Sequence, residues 1–264
     1  MSDHTKPRNK LFLWIIGLLV LILPVGFFIA INAFDIDGLP LYFFQLGLYA
    51  IFFALAFWGI HQSGIKLTFN FRSVLQAILL LASSWLVYAA VLHLTQIADV
   101  PAELKALGSV SAWKIGANIL STWIFVGIGE ELLFRGYFMT LIRDMLAKKN
   151  PKAITRLAVL SSSFVFSIWH FPRQVFELSN GENSWGLIGL TLLVLFVMGV
   201  AFAWLYIRTD NIVLVGLVHG LADFPLIGKD TQMSFIILIA AILLVELAHL
   251  MKKKNANIPD EEDF

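Results

Sequence analysis

Three sets of ionisable residues fall inside long apolar runs of this chain: Glu130, Glu131 and Arg135; His170; and His219 with Asp223. Charge inside a stretch that otherwise reads as a membrane span is costly, and it marks a working site. On a helix Glu131 and Arg135 are four residues apart and share a face, so they can pair, while Glu130 points about 100° away. A carboxylate set apart from an ion pair makes a competent general base for water. Phe166 and His170 are also four apart, as are His219 and Asp223. A hydrogen bond between the last two would fix the imidazole's tautomer and orientation.

The elements that must position these groups are membrane helices. Of 264 residues, 59% are hydrophobic and 14% charged, where a soluble domain carries about 25% charged residues. The expected fold is all-α and polytopic, a single transmembrane domain over 1–264. About eight helices of roughly 20 residues each are expected, over residues 11–33, 41–60, 74–97, 115 into the acidic motif, 153–171, 186–207, 212–227 and 234–251. The first run is too long for a signal-peptide core of about 7–15 residues and reads as a retained span. Residues 255–264 read as a polar, disordered tail. Pro225 interrupts the seventh run, an opening for water or substrate. At 1.5 Å per residue, Glu130 lies roughly 20 Å from Arg143, His170 about 21 Å from Arg156 and His219 about 17 Å from Arg208. These estimates put the three groups at comparable depth.

A net charge of +1 and the lack of a basic face argue against nucleic acid as a partner. The absence of cysteine excludes disulfides, a catalytic thiol and thiolate metal sites. Alternating loops place Lys6, Arg8, Lys10, Lys66, Arg72, Arg143, Lys148, Lys149, Lys152, Arg156, Arg208, Lys252, Lys253 and Lys254 on one side, a total of 14. Lys105, Lys114, Arg173 and Lys229 make 4 on the other, and Arg135 in the motif completes the 19. That bias predicts both termini in the cytoplasm.

In order along the chain, Glu130-Glu131 with Arg135, Phe166 with His170, and His219 with Asp223 are similar to the EExxxR, FxxxH and HxxxN/D motifs. These belong to the CAAX-processing and bacteriocin-processing (CPBP) family of intramembrane proteases. Gly136 and Gly220 also look like that family, and the resemblance covers about 115–227. It implies endopeptidase activity on a membrane-associated peptide or protein. Glu130 matches the glutamate that activates water, with His170 beside it. His219 and Asp223 match the pair at the carbonyl oxygen, and Glu131, Arg135 and Phe166 take supporting places. The prenyl-protein protease subgroup has Asn where this chain has Asp223. An ionised aspartate only accepts hydrogen bonds, so Asp223 would orient His219 or act protonated, a departure that bears on the prenyl-protein substrate class more than on the protease reading.

Other readings stand beside this one. Glu130, Glu131 and Arg135 can form an ion-pair cluster that only fixes packing, and the histidines can be interhelical hydrogen-bond partners. The same polar cluster would suit a non-enzymatic transporter or bacteriocin immunity factor, although the polar motifs lie only in the second half of the chain. Glu130, His170 and His219 with water would also fit a catalytic zinc site, although no His-Glu-x-x-His is present. The metal-free version, with no cofactor, is the expectation. Ser161, Ser162 and Ser163 read as small residues for close packing. His93 has no partner motif, and Glu246 with His249 reads as interfacial. The eight tryptophans, Trp85 and Trp123 among them, read as ordinary span or interface residues.

Overall fold

Each of the eight apolar runs becomes a helix. The computed structural model describes residues 10–34, 38–63, 71–146, 151–181, 183–231 and 233–256. In chain order these form α1 (Lys10–Phe34), α2 (Gly38–Ser63), α3 (Phe71–Thr95), α4 (Val100–Ser109) and α5 (Ala112–Met145). They continue as α6 (Pro151–Trp169), α7 (Phe171–Ser179), α8 (Trp185–Thr209), α9 (Ile212–Asp223) and α10 (Phe235–Ala256). There is no strand among the described residues. The sequence reading lacked α4 and α7. Most of the N-terminal basic segment (1–9) and of the expected polar tail (257–264) lies outside the described residues.

Six segments are long and apolar enough to cross a membrane: Phe43–Gln62, Phe71–Thr95, Ala112–Met145, Ala153–Ser179, Trp185–Thr209 and Phe235–Lys253. This is a polytopic all-α membrane protein. Its helices wear their apolar residues outward. On α8 Leu190, Leu193 and Val197 are exposed, and on α10 Leu243, Leu247 and Leu250 are. These stripes at helical spacing suit hydrocarbon, where backbone groups must be satisfied within the helix itself. The remaining two runs of the expected eight include shorter apolar helices, Ile22–Ile31 and Ile212–Asp223. At about 18 Å, α9 is shorter than a bilayer core of about 30 Å, because the helix stops two residues before Pro225.

Packing divides the described residues into two compact units, one from Met1–Leu67 and Leu132–Ala203, the other from Thr68–Glu131 and Trp204–Phe264. In the first, the second part of α5 packs against α2 and α6, and α1 packs on α2 and α7. Ser167 Oγ donates to the Leu192 carbonyl at 2.6 Å, tying α6 to α8. In the second, α9 lies among α3, the first part of α5, and α10. Every residue of α9 from Ile212 to Ala222 is buried, as expected of a helix that is apolar all round. Its start is set by Asn211, whose side-chain oxygen accepts from Leu214 N at 3.1 Å while its amide donates to the Ser73 carbonyl at 2.8 Å. One residue thereby caps α9 and fastens it to α3. Arg208 donates to Glu246 at 2.8 Å in this unit, so the Glu246 carboxylate is in an ion pair.

Candidate active site

The acidic motif sits in a modified stretch of α5. Residues Ile119–Ile128 and Leu132–Met139 bond i to i+5, and Gly129–Glu131 forms a short α-helical piece between them. The Gly129 N–H, for example, reaches the Ile124 carbonyl. Such wide turns are uncommon and frequent at functional sites.

In the second unit, three glycines bring α5 and α9 together. A Cβ on Gly127 would overlap the Gly216 carbonyl oxygen and lie 2.7 Å from Gly220 N. One on Gly216 would lie 2.5 Å from Ile128 Cα, and one on Gly220 would run into Trp123 Cα. Backbone therefore meets backbone with no side-chain layer between, the close approach that small residues four apart permit. The crossing delivers His219 to the glutamates. His219 Nδ1 lies 2.8 Å from Glu131 Oε1, while Nε2 lies 3.9 Å from Glu130 Oε2 and 3.5 Å from Asp223 Oδ2. Glu130 and His219 are each 4% exposed and Glu131 fully buried, whereas the Asp223 side chain is 40% exposed. The hydrogen bond that orients the imidazole goes to Glu131. Asp223 stands beyond hydrogen-bond length, because α9 ends at that residue and the backbone turns away from helical geometry at Phe224.

In the first unit the motif residues Arg135, Phe166 and His170 form a second group. Arg135 is fully buried, and its Nη2 donates to the Gly199 carbonyl at 2.8 Å. Its guanidinium carbon lies 4.7 Å from the Phe166 ring centre, 5.6 Å from Phe202 and 6.0 Å from Phe134. Facing ring quadrupoles offset part of the desolvation cost of such a cation. The ring of Phe166 also meets His170 edge-on, with centroids 4.7 Å apart. The Phe166 carbonyl lies 2.9 Å from His170 Nδ1. An Nδ1–H given to that carbonyl leaves the lone pair of a neutral imidazole on Nε2. The four-residue spacing of Phe166 and His170 thus has a physical use: one residue covers the arginine with its ring and orients the histidine with its backbone.

The described residues contain no group of three His, Cys, Asp or Glu side chains arranged to hold a metal ion. Of the alternative zinc set, Glu130 and His219 belong to the second unit and His170 to the first.

Residues 112–225 match the family model described as type II CAAX prenyl endopeptidase, Rce1-like. This segment is Rce1-like. No curated protein and no solved structure gives a match. The Rce1-like segment opens with α5 and closes just beyond α9, so it takes in Glu130, Glu131, Arg135, Phe166, His170, His219 and Asp223. The family resemblance read from the motifs therefore holds.

Within the Rce1-like segment, several residues with a structural part in the site carry no motif. Gly127 and Gly216 make the helix crossing, and Gly199 with Phe202 holds the arginine. A Cβ at Gly199 would lie 3.0 Å from Ser163 Cβ and 3.3 Å from Arg135 Nη2, so the small serine at 163 serves close packing. The four-residue spacing of Gly216 and Gly220 was a usable signal for a close crossing. For Phe202, one of 23 phenylalanines, there was none.

Proposed function

We propose that this protein is an intramembrane endopeptidase of the CAAX-protease type, hydrolysing a peptide bond in a membrane-associated peptide or protein by glutamate-activated water. The observation that carries the mechanism is the cluster around His219, where one carboxylate orients the imidazole and a second faces its other nitrogen. Glu130 takes a proton from water as the water oxygen attacks the scissile carbonyl carbon. The carbonyl oxygen becomes an oxyanion, and His219, with Nδ1 held by Glu131, presents Nε2 to it. As an imidazolium, His219 carries an N–H at that atom and donates it. The tetrahedral intermediate collapses, the C–N bond breaks, and the proton held by Glu130 passes to the leaving amine. Asp223 lines the exposed side of the cluster and assists His219. His170 takes its place beside the water from the family resemblance, and its Nε2 lone pair suits a proton-accepting role. Within their own unit, Arg135 and Phe166 support His170.

The chemistry needs no metal in this reading, because one carboxylate supplies the base. Comparison by mass spectrometry of membrane peptides from cells expressing the wild type and Glu130→Gln tests the function. Peptide termini present only with the wild type support it, and identical peptide sets would count against it.

A further inference from the structure

The backbone leaving α9 runs irregularly through 224–228 before the short 3-10 turn Lys229–Thr231. Outside a helix, its carbonyls and amides need partners in apolar surroundings. Side chains from three other elements provide them. Trp123 on α5 donates its indole N–H to the Phe224 carbonyl at 3.1 Å. Trp85 on α3 donates to the Pro225 carbonyl at 2.9 Å. Tyr88 Oη reaches the carbonyls of Ile227 at 3.3 Å and Gly228 at 3.2 Å. Glu103 on α4 accepts from the Gly228 N–H. Within this strap Leu226 sits at φ 71°, a left-handed conformation that a bulky residue holds only when its surroundings enforce it.

The Trp123 bond has the most direct bearing on the site. Phe224 follows Asp223, and its own N–H closes the last turn of α9 on the Gly220 carbonyl at 2.9 Å. Trp123 lies seven residues before Glu130 on α5, and its Cα is the atom a Cβ on Gly220 would strike. One tryptophan therefore touches α9 at both ends of its last turn, through backbone at Gly220 and through the indole at Phe224. We propose that Trp123 is a positioning residue that sets the register of α5 against the end of α9, and so places His219 and Asp223 relative to Glu130, with Trp85 fastening the strap behind it. The catalytic consequence rests on the protease reading; the positional one does not.

The test separates the two. The chain has no cysteine, so Asp223→Cys in the purified full-length protein reports alone. Loss of one neutral hydrogen bond changes an opening equilibrium by about two- to tenfold. Trp123→Phe, which keeps an aromatic side chain but exchanges the indole for a smaller phenyl ring and removes the N–H, should raise the rate of thiol labelling at 223 by at least that factor in protein that remains folded. Trp85→Phe should act in the same direction without altering α5, and it carries the test if Trp123→Phe does not fold. Unchanged labelling in the folded variants overturns the positioning role, whatever the enzyme does. On a peptide identified by the membrane comparison, Trp123→Phe in the otherwise wild-type chain should lower kcat by about tenfold with KM held, the mark of geometry lost at the reacting centre. A rise in KM at unchanged kcat would contradict it. Absence of any cleavage by the wild type would remove the protease reading and leave the labelling result standing.

Discussion

His219 Nδ1 lies 2.8 Å from Glu131 Oε1. The bond joins the first part of α5 to α9 at the point where three glycines let their backbones meet. It fixes which imidazole nitrogen faces Glu130, so the two adjacent glutamates take different work: Glu131 holds the ring and Glu130 faces it.

That division predicts unequal effects of substitution around the ring. Glu131→Ala leaves a buried N–H without its acceptor, a loss of about 1–3 kcal/mol, and should lower both the melting temperature in detergent and the rate of cleavage. Asp223→Asn should retain modest activity with little change in melting temperature, because the aspartate is part-exposed and at 3.5 Å. If its amide donates to the oxyanion, activity will rise. Melting curves and cleavage rates for the two variants check this, and equal destabilisation would argue against Glu131 as the orienting partner.

The crossing of α5 and α9 predicts intolerance to a single methyl group. Gly127→Ala places a Cβ against Gly216 and Gly220 backbone and should cost about 1–3 kcal/mol by overpacking, with activity falling as the helices part. Gly47→Ala, where a Cβ meets nothing within 4 Å, is the matched control. Similar melting temperatures for the two would contradict the close crossing.

Much of this was legible because uninterrupted apolar runs have few alternatives to helix in a membrane, and the eight runs became helices within a few residues of the expected limits. Short, part-polar α4 and α7 escaped because neither has the length or apolar continuity that marked the others. The motif residues stood out by type and depth. Spacing shows which residues share a helix face, but not which faces meet. Hence the Glu131–His219 bond was not foreseen, nor was Arg135 beneath Phe166 and Phe202. Trp85 and Trp123 looked like ordinary span residues because the backbone they bond to is irregular only in the folded chain.

The asymmetry of lysine and arginine predicts both termini in the cytoplasm. Single cysteines at Ser2 and Asn257, positions outside the described residues, should resist an impermeant thiol reagent in intact cells and react after lysis. Labelling of either before lysis would overturn the orientation.

Routing the chemistry through Glu130 predicts that cleavage by the purified protein persists after exhaustive treatment with a chelator. Activity lost on chelation and restored by zinc, with about one zinc per chain by elemental analysis, would reverse that prediction.

The central claim is that Glu130 takes the proton from the attacking water. Glu130→Gln keeps the size and much of the hydrogen bonding of the side chain and removes the base. General-base catalysis is worth about 10²–10⁴-fold, so cleavage of the identified peptide should fall by at least that order while the protein inserts, purifies and melts like the wild type. A Glu130→Gln protein that cleaves at near wild-type rate would contradict the assignment of the base and the mechanism built on it.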